Sequence, residues 1–234
     1  MKAVRQGSLQ VEEVLIKGAR ELDVPLTSHQ VALFLDYLES IKFWNKRINL
    51  TGIKDEKRIV INHFLDSITT LPFISEGSKV LDIGSGAGFP GIPLRIVRPS
   101  LEVILLDSVQ KKVFFMRDVI RKIGLREIKA IWGRAEDLTN GIPRVYFDFV
   151  VSRAVGKIEN LLELSIPYLR EGGEIILMRG KMGLEEWNQV KVKASRNIRL
   201  LKSKKLSLPF GGHQRVILVI GGCFIVASSF SEIV

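Results

Sequence analysis

Residues 80 to 94 read "VLDIGSGAGFPGIPL", an apolar run followed by four glycines (Gly84, Gly86, Gly88 and Gly91) and two prolines. Glycines at this density serve a backbone that turns sharply and lets a ligand approach closely. In an open parallel sheet, ligands bind beyond the carboxyl ends of the strands, where such a turn would lie. Gly86, Gly88 and Gly91 match the G-x-G-x-x-G spacing of dinucleotide sites, and Asp107 follows about 20 residues on, so a nicotinamide-dependent oxidoreductase is one reading. Two features favour another ligand. Asp82 lies inside the strand, two residues before Gly84, where a carboxylate would sit under the turn as acceptor for a cationic ligand end or its ordered water. Pro90 and Pro93 fall at the start of the next helix, a place that tolerates proline but where a pyrophosphate would want free amides. A cationic ligand without phosphate suits this loop better, and S-adenosylmethionine is one. Asp107 would then accept from both ribose hydroxyls, or else it caps the following helix.

Such a turn needs a sheet to hold it. From Lys79 onward, "KVLDI", "LEVILLD", "EIKAIW", "FDFVV" and "GGEIILM" alternate with helical stretches, and a last pair of runs lies near 197–206 and 214–220. The spacing fits crossover helices of a mostly parallel sheet. One such helix is predicted over 109–123, with Val113, Phe114, Met116, Val119, Ile120 and Ile123 apolar. Upstream, residues 1–72 read as helical. Thr27 and Gln30 fit a capping box ahead of Val31, Phe34, Leu35, Leu38 and Ile41 at helical spacing. Asp55 is placed to cap a helix carrying Ile59, Val60, Phe64, Ile68 and Leu71, which Pro72 ends. "WNKRINLTG" connects the two. The expected fold is α/β and doubly wound, with a helical N-terminal extension (1–72), a ligand-binding domain (73–220) and a tail of unknown role (221–234), all in one compact unit.

With 46% hydrophobic and 26% charged residues, the 234-residue chain belongs with globular rather than disordered sequences. The first ten residues are polar and lack the apolar core of a signal peptide. The longest apolar run, 216–227, contains two glycines and falls short of the roughly 20 residues a membrane span needs. A cytoplasmic, monomeric protein without a membrane partner is expected. The single cysteine, Cys223, excludes a disulfide framework and a cysteine metal site, and no His, Cys and carboxylate cluster suggests another metal. Thirty-five Lys and Arg against 25 Asp and Glu leave a charge of +10, which favours a polyanionic partner. The basic residues gather around Lys42, Lys46, Arg47, Lys54, Lys57 and Arg58; around Lys111, Lys112, Arg117, Arg121 and Lys122; and around Lys191, Lys193, Arg196, Arg199, Lys202, Lys204 and Lys205. Each cluster is either a solvated face or an RNA contact. Lys111 and Lys112 are best placed, just past the strand that ends at Asp107.

Taken together, "LDIGSGAGFPGIPLRIVRP", "LLDS", "GRAEDL", "VSRA" and "WNKRINLT…NHFLDS" resemble the glucose-inhibited division protein B (GidB/RsmG) family, over most of the chain. The resemblance implies a Rossmann-like class I methyltransferase with a seven-stranded sheet. It further implies transfer of a methyl group from S-adenosylmethionine to guanine N7 in 16S rRNA, in the decoding-region loop of the small ribosomal subunit. S-adenosylhomocysteine would be the product. By that resemblance Gly84 and Phe89 line the methionine and adenosine side, Asp107 of "LLDS" binds the ribose, Ser108 beside it belongs to the cofactor site, and Ala135 and Glu136 border the adenine. Arg153 of "VSRA" lies beside the transferred methyl and positions the target base. Where the family usually has Lys-Gly after the fifth strand, this chain has Arg179-Gly180, and an rRNA phosphate is the expected partner of Arg179.

Guanine N7 carries a lone pair and no proton, so methylating it needs no general base, and positioning can supply the catalysis. Cys223, in an apolar stretch, is a poor nucleophile for ring-carbon chemistry. His63 of "HFLDS" is expected to hydrogen-bond across the junction between the extension and the sheet rather than to catalyse. A methyltransferase for a small molecule or protein is the alternative. Base access would require a guanine drawn out of its stack.

Overall fold

The β-branched and leucine-rich runs form seven strands, the central ones buried on both faces as a helix-covered parallel sheet requires, while the two edge runs, 128–132 and 198–207, are partly exposed. In the computed structural model, which describes residues 2–153, 156–190 and 198–222, the seven are β1 (Lys79–Ile83), β2 (Glu102–Asp107), β3 (Ile128–Trp132), β4 (Phe147–Arg153), β5 (Leu169–Arg179), β6 (Ile198–Ser207) and β7 (Gln214–Gly222). Their order is β3-β2-β1-β4-β5-β7-β6. Strands β1 to β5 pair in parallel and β7 runs antiparallel to both β5 and β6. Chain order reverses between β1 and β4, which puts the end of β1 at the crevice where ligands are expected. Strand β7 continues two residues into the segment assigned to the tail. Residues from Cys223 onward, and Lys191, Lys193 and Arg196 of the third basic cluster, lie outside the described residues.

Alternation along the strands divides the core in two. Val80, Val103, Leu105 and Val151 face one side, where they share a core with the helices α1 (Lys2–Glu21), α2 (Ser28–Asn45), α5 (Gly91–Val97) and α6 (Gln110–Lys122). Leu81, Ile83, Leu106 and Val150 face the other, with α7 (Ile158–Ser165) and α8 (Gly183–Asn188). The N-terminal helices therefore cover one face of the sheet. Among the described residues no helix is long and apolar enough to cross a membrane.

The capping box forms as its spacing predicts, with the Gln30 amide donating to Thr27 Oγ1 at 3.2 Å and the Thr27 amide donating to Gln30 Oε1 at 2.9 Å. Helix α6 differs in one residue. Phe115 is buried and Phe114 is half-exposed, because Phe115 stands four residues before Val119 on the core face while Phe114 is turned off it. Asp55 caps α3 (Glu56–Ile59), its Oδ1 accepting the Arg58 amide at 2.8 Å. The rod then continues through a π-helical segment, Val60–Leu65, into α4 (Asp66–Ile68). An extra residue per turn changes which side chains face the sheet, and such segments recur at functional sites. Here the segment carries Asn62 and His63.

Candidate active site

The glycine turn is fixed from below and behind. The amides of Gly84 and Ser85 donate to the Leu106 carbonyl at 2.8 and 3.1 Å, joining the turn to β2. Asp107, nearly buried, accepts the Gly86 amide on Oδ2 and the Val109 amide on Oδ1, both at 2.8 Å. It thus ties the turn to the entry of α6, and each oxygen keeps acceptor capacity. At Gly91 a Cβ would stand 2.2 Å from Leu105 Cδ2, so only glycine lets α5 start this close to β2. Asp82, expected beneath the turn, is fully buried on the side of α5. Its Oδ2 accepts the Gly91 amide at 2.9 Å, and it does not line the cleft. Burial pushes its carboxyl up to about 7. It stands at the start of α5, because side chains on that face of β1 point at the helix. Gly88 is also buried. The space for its Cβ is filled by Ile92 and by the hydroxyl of Tyr37, which donates to the Ala87 carbonyl. Burial holds the Tyr37 phenol well above its usual pKa, and its ring stacks on Phe64 with centroids 5.1 Å apart.

Beside the turn lies a cleft of about 430 Å³, lined by Gly84, Gly86 and Phe89 on the sheet side and by Thr51, Asn62 and His63 on the helical side. This is within the range of small-ligand pockets. Arg153, at the end of β4, joins the two walls. Its Nη1 donates to the Asn62 carbonyl at 3.0 Å, approaches His63 Nδ1 at 3.1 Å and Asp66 Oδ2 at 3.5 Å, and its guanidinium lies 4.8 Å from the centre of the Phe89 ring. His63 stacks on the same ring, centroids 4.7 Å apart. Ser152 Oγ donates to the Ile83 carbonyl at 2.9 Å, locking the ends of β4 and β1 together.

Asp66 has no exposed surface and is shared by two cations: beside Arg153, Arg215 Nε donates to its oxygens at 3.0 and 3.1 Å. Burial raises the Asp66 carboxyl while the two guanidiniums oppose that shift. His63 is driven the other way. Burial, helped by the Arg153 charge, lowers its pKa to about 3, so the ring is neutral near pH 7. It bridges helix and sheet, as its place in "HFLDS" suggests.

The other expected contacts divide. Ser108 and Glu136 are exposed and Ala135 is buried; the Ala135 carbonyl accepts from Tyr168 Oη at 2.8 Å. Lys111 is exposed and Lys112 half-buried in the first turn of α6. Arg179 lines the cleft, but its Nε and Nη2 donate to Glu186 Oε2 at 2.9 and 2.6 Å and its Nη2 to the Gly156 carbonyl at 2.9 Å. An RNA phosphate there would have to compete with Glu186. Lys42 is likewise paired, with Glu39 and Glu56. Sequence reasoning did not single out Thr51, Asn62, Asp66 or Arg215. The first three stand inside the quoted motifs "NLT" and "NHFLDS", whereas nothing around Arg215 marks it.

A family model for GidB, described as rRNA small subunit methyltransferase G, matches residues 30–218. A relative from Geobacter metallireducens, named ribosomal RNA small subunit methyltransferase G, is 36% identical over 218 residues, covering 91% of this chain and 96% of the relative. One of the same name from Pelotomaculum thermopropionicum is 39% identical over 216 residues, covering 89% of each. Among solved structures, a SAM dependent methyltransferase from Aquifex aeolicus superposes with a TM-score of 0.54 at 18% identity, over 71% of this chain and 93% of that one, which speaks to the fold.

Proposed function

The chain belongs to the GidB family of rRNA small subunit methyltransferases, and from that premise we propose that it transfers a methyl group from S-adenosylmethionine to N7 of a guanine in 16S rRNA. The site proposed is the decoding-region loop of the small subunit. The observation that carries this reading is the convergence of the glycine turn and Arg153 on one cleft at the carboxyl ends of β1 and β4. The residues present suit that cofactor: the half-exposed backbone of Gly84 and Gly86 lines the cleft, Asp107 beside the turn keeps spare acceptor capacity, and Ala135 and Glu136 after β3 are proposed to border the adenine. S-adenosylmethionine supplies an electrophilic methyl on a sulfonium.

Guanine N7 presents a lone pair and loses no proton, so the protein's task is to orient the base and exclude water. A histidine kept neutral down to about pH 3 and two arginines sharing one buried aspartate support a site that positions rather than exchanges protons. Arg153 is the residue proposed to couple cofactor to base. Lys111 and Lys112 are proposed to meet rRNA phosphates beside the crevice. The test is methyl transfer from labelled cofactor to small subunits lacking the modification, followed by mapping. Label at a guanine N7 of 16S rRNA is expected, and label on protein, or at no guanine N7, would refute the reading.

A further inference from the structure

The direction of the hydrogen bonds between Arg153 and Thr51 is determined by proton counting. A guanidinium can only donate. At 3.1 Å from Arg153 Nη1, His63 Nδ1 must therefore accept, and the neutral ring carries its proton on Nε2. That nitrogen lies 2.8 Å from Thr51 Oγ1, so His63 donates and the threonine oxygen accepts. The Ile53 amide donates to the same oxygen at 3.2 Å. With both lone pairs occupied, the Thr51 hydroxyl can act only as a donor. Among the described residues its hydrogen has no acceptor, and Thr51 lines the cleft.

The loop that presents this hydroxyl is clamped. Asn45 Oδ1 accepts the amides of Leu50 and Thr51 at 2.9 and 3.2 Å, and its Nδ2 donates to the Thr51 carbonyl at 3.0 Å. Such backbone fixing from both ends holds a polar group ready instead of letting it adapt to whatever enters.

A base methylated at N7 turns its major-groove edge toward the methyl group. On that edge guanine offers N7 and O6, both acceptors, whereas adenine offers N7 and an amino donor. With N7 occupied by the reaction, the neighbouring atom alone distinguishes the two purines. We propose that the Thr51 hydroxyl is the specificity donor of this site, giving its hydrogen to O6 of the target guanine. The relay Arg153 to His63 to Thr51 keeps it a donor, so an adenine amino group in that place would meet a second donor. The inference rests on the guanine-N7 reading and deepens it.

The experiment compares kcat/KM on small subunits reconstituted with guanine or with 2-aminopurine, which retains N7 and lacks O6, at the target position. The wild-type protein should lose about tenfold or more on 2-aminopurine, the usual scale for a lost hydrogen bond in a desolvated site. Thr51→Val should lose a similar factor on guanine and nothing further on 2-aminopurine, with cofactor Kd unchanged. Thr51→Ser, which keeps the hydroxyl, should stay within about threefold of wild type on guanine. Equal wild-type rates on the two bases would overturn the proposal without any variant. So would losses from Thr51→Val and 2-aminopurine that multiply. If the wild-type protein labels a guanine elsewhere than N7, the functional reading falls and this inference with it; label at N7 with an indifferent Thr51→Val refutes this inference alone.

Discussion

Alanine at Gly88 is expected to cost several times more stability than alanine at Gly86, although the two belong to one turn and both have positive φ. At Gly86, φ is +60°, and the atom nearest to an added Cβ is the Gly84 carbonyl oxygen at 3.9 Å. Only the left-handed backbone penalty applies, about 1–2 kcal/mol. At Gly88, φ is +90° and the Cβ would stand 2.4 Å from Ile92 Cδ1 and 2.9 Å from Tyr37 Oη. Both side chains are fully buried, so neither can swing into solvent, and overpacking adds about 1–3 kcal/mol. Displacing the Tyr37 hydroxyl strands the buried Ala87 carbonyl that it serves, for about another 1–3 kcal/mol. Gly88→Ala should therefore lose about 3–8 kcal/mol in total. For a chain of this length about 2–4 °C of Tm accompanies each kcal/mol. Thermal and urea unfolding followed by circular dichroism should place Gly86→Ala a few degrees below wild type and Gly88→Ala about 10 °C or more below it. Tyr37→Phe, measured alone and combined with Gly88→Ala, should show less than additive loss, since both remove the same hydrogen bond. Equal midpoints for the two alanine variants, or strict additivity with Tyr37→Phe, would refute this account of the turn.

Arg153→Ala should weaken cofactor binding and methyl transfer together, read by calorimetry and by label incorporation; retention of both would remove Arg153 from the site. His63, with a folded pKa of about 3 against an ordinary 6.5, keeps its contribution to stability above pH 6.5 and loses it as pH falls toward 3, at up to about 1.4 kcal/mol per pH unit. Asp82, pushed up to about 7 from 3.8, has the opposite sign over an overlapping range. The His63 part is therefore the difference in slope between wild type and His63→Gln, measured by urea unfolding from pH 4 to 7, and parallel slopes would contradict the lowered pKa. Lys111→Gln and Lys112→Gln should each reduce the log–log salt dependence of small-subunit binding by about one while leaving cofactor Kd unchanged, and an unaltered slope would place the rRNA phosphates elsewhere.

Much of the scaffold is written in short-range pattern. The Thr27–Gln30 box, the Asp55 cap and the seven strand runs each depend on neighbours a few residues away, so their spacing carries them. Gly91 illustrates a half-legible case: its place in the glycine run suggested ligand approach, but its reason is the Leu105 methyl 2.2 Å from where a Cβ would be. Asp82 is another. Its depth in the strand was readable, while the face on which it points depends on the pairing of β1 with its neighbours and on where α5 lies. Phe114 and Phe115 differ by one residue, or 100° of helix, which decides between solvent and core.

The cleft's chemistry is of a different kind. Arg153, Asp66 and Arg215 are separated by 87 and 149 residues along the chain and meet only because β4 and β7 stand beside one helical rod. Thr51 becomes a pure donor only after a guanidinium from β4 dictates the tautomer of a histidine in the π-helical segment. The sequence by itself determined the class of fold, the family and the turn that approaches the ligand, because propensity, capping and motif spacing are local. The tertiary structure alone decided which buried charges share a partner, which side chains face the cleft and which way the protons run, because burial and hydrogen-bond direction are set by neighbours that only folding brings together.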